Sequence, residues 1–336
     1  MCHRMRRLIN LGCILFLLSG YARGQDAPLA SVPGARYLFG LSAAPAGKTI
    51  LLFSSGQVPE GEVSFGTVTL LRLDSPNFAV KRLPVPESHD DLTLPVWTSA
   101  GDIAYLLTTK GLYALSMNTM LPKLLLRGTL AGLALSPDNT KLAFWDLAPE
   151  EEFHYGLQIF DLKVRKTIRK WSLATLYSSD RYGFEIAFAP DGQAVLARTY
   201  DTEGRTPLKQ FQISTGTVET VSEDCSGLAA SQQAVYFVAG NENGGTLMKV
   251  SSHGRNPNQL MQNFRYSALL TSGSRRWIVA ENPRTRKLAI LDSRGDTLAE
   301  LGAQCQAATV LPDGDIVLAA HGSLYSSVAG CSPARK

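Results

Sequence analysis

The stretch IAFAPDGQAVLAR, residues Ile186–Arg198, has the sequence pattern of a β-hairpin. An apolar segment is followed by Pro-Asp-Gly and then by a second apolar segment. Proline presets φ at about −65°, aspartate bonds to the backbone of its own turn, and glycine accepts the positive φ that closes a hairpin. The pattern recurs as LALSPDNTKLAFW over Leu133–Trp145 and as TVLPDGDIVLAA over Thr309–Ala320. Each copy predicts two antiparallel strands joined by a tight turn.

The pattern repeats along the chain with a period of about forty residues, which is typical of propeller blades. Four weaker copies complete the series: Ser42–Phe53, Val96–Leu107, Leu228–Ala239 and Leu269–Ala280. A third apolar segment follows each pair, and then a fourth; the third segments are TVTLLRL, GLYALSM, GLQIFDL, PLKQFQI, TLMKV, KLAILD and SLYSSV. Four short strands per repeat without helical periodicity predict an all-β fold, a β-propeller of seven four-stranded antiparallel blades. A β-sandwich is the alternative.

The repeats also predict the domain boundaries. The propeller covers residues 37–328, and residues 329–336 form a short C-terminal tail. The last repeat has three candidate strands, which would leave an unpaired edge that favours aggregation. We expect the N-terminal segment 25–36, through its stretch Ala27–Val32, to supply the missing outer strand.

These turns resemble the WD40-like repeat of the TolB type, also called PD40, in which an SPDG turn precedes an apolar strand. Ser136-Pro137-Asp138-Asn139 before KLAF, and Ala189-Pro190-Asp191-Gly192 before AVLA, carry the resemblance. The sequence departs from true WD40 repeats because its Trp145-Asp146 pair ends a second strand. The resemblance implies the propeller fold and leaves function open.

Residues 1–24 have the features of a cleavable signal peptide. Arg4, Arg6 and Arg7 precede the apolar run Leu8–Leu18, and Ala22-Arg23-Gly24 offers small residues at the cleavage site. The apolar run is shorter than the roughly 20 residues that a membrane span needs. We therefore predict a secreted or periplasmic protein that starts at Gln25, with no transmembrane segment in the mature chain.

The charge of the mature chain excludes two classes of partner. The whole chain has 33 Lys+Arg and 29 Asp+Glu, and the signal peptide contains four arginines and no acid. The mature chain therefore has zero net charge. Such a protein lacks the electrostatic attraction that holds nucleic acid or an anionic membrane surface.

Three cysteines remain after removal of the signal peptide: Cys225, Cys305 and Cys331. None has CxxC spacing, so the sequence does not support a structural zinc site. A bridge between Cys305 and Cys331 requires the C-terminal tail to fold back. We expect mostly free or partly buried thiols.

The repeat geometry separates two faces of the ring. Tight turns join the first to the second strand and the third to the fourth, and they share one face. The other face, here called the long-loop face, has the connections from the second to the third strand and between blades. Its longest loops are 54–66, 84–93, 146–155, 173–183, 199–206 and 239–245. Long polar loops on a rigid scaffold are common binding sites.

The long loops contain acids, arginines and aromatic residues, and aromatic and arginine side chains often dominate binding surfaces. The candidate binding residues are Glu150, Glu151, Glu152, Tyr155, Asp180, Arg181, Tyr182, Tyr200, Arg205 and Tyr266. A solvated loop surface without a binding role is the alternative interpretation.

Catalytic and metal sites have weaker support. Glu150, Glu151 and Glu152 next to His154 are adjacent in sequence, so they cannot all face one ion without a special backbone. His89-Asp90-Asp91 fits a polar connecting loop better than an acid–base pair. Glu185, at the start of an innermost strand, is the one candidate catalytic acid. The nucleophile and metalloprotease motifs G-x-S-x-G and H-E-x-x-H do not occur.

The sequence therefore predicts an exported propeller that acts as a non-catalytic binding or scaffold module through its long-loop face. We expect a monomer without a cofactor, and a partner that is another exported or envelope protein. Two alternatives remain: a hydrolase of the lactonase or sugar-processing class that uses acids at the central mouth, and a sensor that holds a small ligand in the channel.

Overall fold

The tight turns and their flanking strands build the whole architecture. The computed structural model describes residues 28–55, 65–73, 79–86, 88–89, 94–147, 154–174, 184–201, 203–231, 234–241, 244–250, 257–266, 268–271, 277–282, 285, 287–292, 295–301 and 305–326. These residues contain 29 β-strands and no helix. Accordingly, no helix in this part of the chain is long and apolar enough to cross a membrane.

The strands form seven antiparallel sheets, which we number as blades in chain order. Blade one contains β2 (Tyr37–Ala43), β3 (Thr49–Ser55), β4 (Phe65–Arg72), β5 (Ala79–Arg82) and the short β6 (Ser88–His89). Blade two contains β7 (Val96–Trp97), β8 (Ile103–Thr108), β9 (Gly111–Ser116) and β10 (Pro122–Arg127). Blade three contains β11 (Leu130–Leu135), β12 (Lys141–Asp146), β13 (His154–Asp161) and β14 (Lys166–Ala174).

The second half of the chain repeats this arrangement. Blade four contains β15 (Ile186–Phe188), β16 (Ala194–Arg198), β17 (Leu208–Gln212) and β18 (Val218–Ser222). Blade five contains β19 (Gly227–Ala230), β20 (Val235–Asn241), β21 (Gly244–Val250) and β22 (Asn258–Phe264). Blade six contains β23 (Ala268–Thr271), β24 (Ile278–Asn282), β25 (Lys287–Leu291) and β26 (Thr297–Leu301). Blade seven contains β27 (Ala307–Val310), β28 (Ile316–Ala320), β29 (Ser323–Tyr325) and β1 (Ala30–Ser31).

The first strand of each blade lies innermost, and the innermost strands of blades two to six contact one another in order. Buried apolar side chains join blade one to blade two and blade six to blade seven. β27 of blade seven contacts β2 of blade one, which closes the circle. The prediction of an all-β, seven-bladed propeller is therefore confirmed.

The N-terminal segment takes part in the last blade. β1 pairs with β29, with Ala30 opposite Leu324 and Ser31 opposite Ser323. The side chain of Val32, which follows β1, is buried in the core between blades seven and one. Both ends of the propeller sequence thus meet in one sheet.

The core consists of separate layers between blades. The described residues form seven hydrophobic clusters, and each cluster joins two consecutive blades. For example, Phe53 and Leu70 of blade one pack with Leu106 and Leu115 of blade two. Each apolar strand therefore uses both of its faces for burial, which explains why the second strands are apolar along nearly their whole length.

Polar contacts also connect neighbouring blades. The indole Nε1 of Trp97 donates to Ser42 Oγ at 2.9 Å, and that hydroxyl donates to the carbonyl of Pro95 at 2.9 Å. On the face with the tight turns, Asn139 Nδ2 donates to Ser99 Oγ at 2.7 Å. These bonds fix the relative position of successive turns.

The aspartate of the blade-three turn organises the turn that the sequence predicts. Asp138 accepts hydrogen bonds from the hydroxyls of Ser136 and Thr140, and Lys141 lies 3.5 Å from its carboxylate. Partial burial opposes ionisation of Asp138, but these hydrogen bonds and the lysine outweigh it and lower its pKa to about 2. The ionised carboxylate is therefore part of the folded turn.

This lowered pKa predicts a pH dependence of stability. Because the folded pKa lies below the unfolded one, the contribution of Asp138 is complete above pH of about 4 and is lost as the pH falls to about 2. Its carboxylate is 55% exposed, so we expect a contribution on the order of 1 kcal/mol after allowance for solvent screening. Urea denaturation between pH 5 and 2 should show a shallower loss of stability in Asp138→Asn than in the wild type. Equal slopes would contradict the prediction.

Two of the expected long loops are shorter than the sequence suggests. β20 and β21 stay paired up to Asn241 opposite Gly244, so most of the expected loop 239–245 belongs to a pair of strands. Three glycines allow this close approach, since a Cβ at Gly245 would lie 2.2 Å from the carbonyl oxygen of Ala239. Within 84–93, β6 pairs with the start of β4. The central parts of the loops 54–66, 146–155 and 173–183 lie outside the described residues.

Candidate functional site

The candidate residues fall into three groups in the structure. Six lie outside the described residues: Glu150, Glu151, Glu152, Asp180, Arg181 and Tyr182. Tyr200 and Arg205 lie together in one described loop of the long-loop face, and Glu185 lies nearby in the same blade. Tyr155 and Tyr266 are buried in the core.

Two of the candidate tyrosines are buried. Tyr155 is 8% exposed, and its ring packs edge-on against Phe184 with centroids 6.0 Å apart. Tyr266 is 7% exposed and packs against Phe264. Burial first, and then the nearby Glu300 carboxylate, raise the pKa of Tyr266 to about 12. Both rings lie in the layers between blades, so neither is part of an exposed surface in this structure.

The loop 199–206 between β16 and β17 is held by its own hydrogen bonds. Asp201 Oδ1 accepts the backbone N–H groups of Glu203 at 2.9 Å and Arg205 at 2.8 Å. The Arg205 Nε donates to Asp201 Oδ2 at 2.6 Å. At the base of the loop, the N–H and hydroxyl of Thr199 both donate to the carbonyl of Pro207. These bonds hold the described residues of the loop, 199–201 and 203–206, in place within the chain itself.

Charge at the tip of this loop is mixed with an acidic majority. Arg205 is 51% exposed and lies 3.2 Å from Glu203, which is 68% exposed. A hydrogen bond from Arg205 to Asp201, and then the charges of Asp201, Glu203 and Glu223, raise the pKa of the arginine. Thr206 joins the loop to the next blade by donating to Asp224 Oδ1 at 2.9 Å. The tip thus offers an exposed guanidinium framed by carboxylates.

Glu185 and Arg198 form a buried charged pair below this loop. The Arg198 Nη1 lies 4.0 Å from Glu185 Oε2, and the two side chains are 5% and 13% exposed. Arg198 also donates to the Tyr200 hydroxyl at 3.3 Å and lies 5.6 Å from the centre of its ring. The pair connects the start of the innermost strand with the first aromatic residue of the loop. Glu185 thus lies in a charged cluster at the central end of the blade.

Arg198 occupies a position that is apolar in most blades. In each second strand, one side chain near the long-loop face points toward the following blade. The apolar residues at this position are Phe53, Leu107, Trp145, Val238 and Ala319. Arg198 in blade four and Glu281 in blade six take the place of an apolar side chain, and both are buried. A buried charge costs free energy unless it is compensated, so such departures from a repeat indicate local specialisation.

Arg198 was not among the site residues predicted from the sequence. Aligning the second strands by the direction of their side chains shows a charge within an otherwise apolar column. The direction in which each side chain of a strand points is known only from the structure. From the sequence alone, Arg198 resembles an ordinary charged residue at the end of a strand.

Cys225 lies next to this charged pair at the start of blade five. It is the free cysteine among the described residues, and its side chain is fully buried. Burial raises the pKa of the thiol to about 12; Arg198 opposes the increase and Glu185 adds to it. The thiol is thus protonated in the folded protein, and thiolate is the reactive form.

We therefore expect Cys225 to resist alkylation in the native state. Iodoacetamide should modify it only after denaturation, as measured by mass spectrometry of the Cys225 peptide. Full modification of the native protein at neutral pH would contradict the burial seen here. The unfolded chain is the positive control.

Cys305 differs from the expected thiol because it is disulfide-bonded. It also packs in the core between blades six and seven. The expectation of mostly free thiols is thus wrong for Cys305 and confirmed for Cys225.

The described ranges contain no group of three or more His, Cys, Asp or Glu side chains that could hold a metal ion. His89 lies in β6, and its neighbours Asp90 and Asp91 lie outside the described residues.

Comparison with solved structures agrees with the fold. A chain of Kuenenia stuttgartiensis hydrazine synthase aligns with a TM-score of 0.55 and 14% identity, over 91% of this chain and 98% of that chain. A chain of the mitotic checkpoint complex aligns with a TM-score of 0.59 and 12% identity, over 90% of this chain and 94% of that chain. TolB from Acinetobacter baumannii aligns more weakly, with a TM-score of 0.48 and 13% identity, over 76% and 77% of the two chains.

These low identities show a shared fold and nothing about activity. No protein-family model matches the sequence, and no curated protein matches it. The chain is a seven-bladed β-propeller.

Proposed function

We propose that this protein is an exported, non-catalytic binding module that holds another exported or envelope protein through its long-loop face. The observation that carries the proposal is the ordered loop 199–206 with its exposed, charged tip. Binding by such a loop costs little conformational entropy because its backbone is already fixed.

The chemistry of the loop tip supports a protein partner. Arg205 extends into solvent while Asp201 and Glu203 hold its guanidinium in place. Arginine side chains that become buried on binding frequently dominate the energy of an interface. The acids around Arg205 would direct the choice of partner by charge, since like charges across an interface are unfavourable.

Two observations support export. The first 24 residues have the features of a cleavable signal peptide. Cys305 is disulfide-bonded, and disulfides persist mainly in oxidising compartments such as the periplasm and the extracellular space.

The proposal is tested by affinity capture from the native envelope or secreted extract with Gln25–Lys336 as bait. A double variant, Glu203→Ala with Arg205→Ala, removes one acid and one base from the loop tip. The matched control, Lys163→Ala with Glu219→Ala, removes the same charges from exposed residues on the side of the tight turns.

We expect the wild type and the control to capture the same partner, and the loop variant to capture at least ten-fold less. That loss corresponds to about 1.4 kcal/mol of binding free energy. The assignment of the long-loop face would be overturned if the control variant, which lacks Lys163 and Glu219, lost the partner. It would also be overturned if the loop variant captured as much partner as the wild type. If no protein is enriched, the binding-module proposal fails.

A further inference from the structure

The outer strand of blade seven is much shorter than those of the other blades. β1 has 2 residues, whereas the outer strands β5, β10, β14, β18, β22 and β26 have 4, 6, 9, 5, 7 and 5 residues. β1 is also the strand that reaches its blade from the far end of the chain. The ring is thus completed by its weakest strand.

Few contacts hold β1 in place. The N–H of Leu29 donates to the carbonyl of Leu324 at 2.7 Å, and the N–H of Val32 donates to the carbonyl of Gly322 at 3.1 Å. The hydroxyls of Ser31 and Ser323 are hydrogen-bonded at 3.1 Å. Among residues 28–36, Val32 has the one well-buried side chain, at 6% exposure. Among the described residues, β1 is thus held by a shorter ladder than any other outer strand.

A tight turn directs β1 toward its own ring. The N–H of Ala35 donates to the carbonyl of Val32 at 3.1 Å, and Gly34 has a φ of 77°. On the other side of the turn, the N–H of Arg36 donates to the carbonyl of Ser55 in blade one. Residues 33–36 therefore form a short hinge between blades seven and one. Short hinge loops are common sites of segment exchange between copies.

We propose that β1 exchanges between two copies of this chain, so that each β1 completes blade seven of the other ring. The exchanged strand keeps every bond to β29 and the buried position of Val32, because the two segments are identical. The two states differ mainly in the hinge, which opens from a turn to an extended segment. Exchange adds a concentration-dependent dimer to the monomer expected from the sequence.

A disulfide between β1 and β29 tests the proposal directly. Ser31 and Ser323 are direct partners in the ladder with hydroxyls 3.1 Å apart, and this geometry suits a disulfide. A Ser31→Cys, Ser323→Cys variant of Gln25–Lys336 is refolded at low and high protein concentration and then oxidised. A mixture of isotopically light and heavy chains shows whether the link joins one chain or two.

We expect links within one chain at low concentration and a several-fold rise in links between light and heavy chains at high concentration. Each single cysteine variant controls for random oxidation at the surface. Insertion of Gly-Gly-Ser-Gly after Gly34 should reduce the cross-chain fraction, since a longer hinge folds back more easily. Disulfide links confined to one chain at every concentration would overturn the proposal. So would a fraction of cross-chain links that is the same with and without the insertion after Gly34. Because β1 lies away from the loop 199–206, this outcome is independent of the proposed function.

Discussion

Replacing Gly132 by alanine should destabilise the protein by roughly 3 kcal/mol or more, the sum of a left-handed backbone penalty and overpacking. Gly132 lies at a bulge in β11 with a φ of 55°, and a Cβ there would lie 1.9 Å from the carbonyl oxygen of Phe184. Either β11 or the link before Glu185 must move. The free energy of unfolding from urea denaturation measures the effect.

Gly47→Ala is the matched control for this change. Gly47 has a φ of 73° and no atom within 4 Å of the added Cβ, so the substitution carries only the backbone penalty, about 1–2 kcal/mol. The difference between the two variants isolates the clash with Phe184. Equal losses at Gly132 and Gly47 would contradict the close approach of β11 to the blade-four link.

Ring closure by the N-terminal segment predicts a second large effect. Val32→Asp places a carboxylate in the core between blades seven and one, where Val32 packs with Leu38 and Leu324. An ionised group in such a site is unfavourable unless it is paired, so we expect a loss of about 3 kcal/mol or more and easier proteolysis at both chain ends.

Ser31→Asp is the control for Val32→Asp because it adds the same charge one residue earlier, at an exposed position of β1. It should change the free energy of unfolding by about 0.5 kcal/mol or less. If Val32→Asp were as mild as Ser31→Asp, the N-terminal segment would not contribute to the closed ring.

Much of the fold was predictable because each blade repeats the same local chemistry. The turn Pro190-Asp191-Gly192 requires a hairpin, and the apolar segments on either side have the length of strands. Seven such units in register permit few other architectures, and the structure confirms seven blades. The residues of the turns were therefore enough to predict the blades wherever the repeat was clear.

The candidate site was less predictable because burial depends on the neighbouring blade. Tyr155 and Tyr266 are next to loops in the sequence, yet both rings turn into the layers between blades. Arg198 is the opposite case, a charge within an apolar column that becomes visible only when side-chain directions are known. β20 pairs with β21 along its whole length, up to Asn241 opposite Gly244. The glycines in this stretch permit such pairing, but they are equally compatible with a loop, so the sequence did not predict it.

The disulfide of Cys305 shows a third limit. Strand directions place the start and the end of blade seven on opposite faces, and from this we expected free thiols. The repeat pattern predicts strands and turns, and it contains no information on which cysteine pairs with Cys305. The repeat therefore does not predict disulfide pairing.

Site-specific photo-crosslinking tests the proposed binding face most directly. A p-benzoylphenylalanine residue in place of Arg205 reports on the loop tip, and the same residue in place of Lys163 reports on the side of the tight turns. Irradiation in the native extract should link one exported protein to the Arg205 probe and none to the Lys163 probe. A crosslink from Lys163 alone, or equal crosslinks from both positions, would contradict binding through the long-loop face.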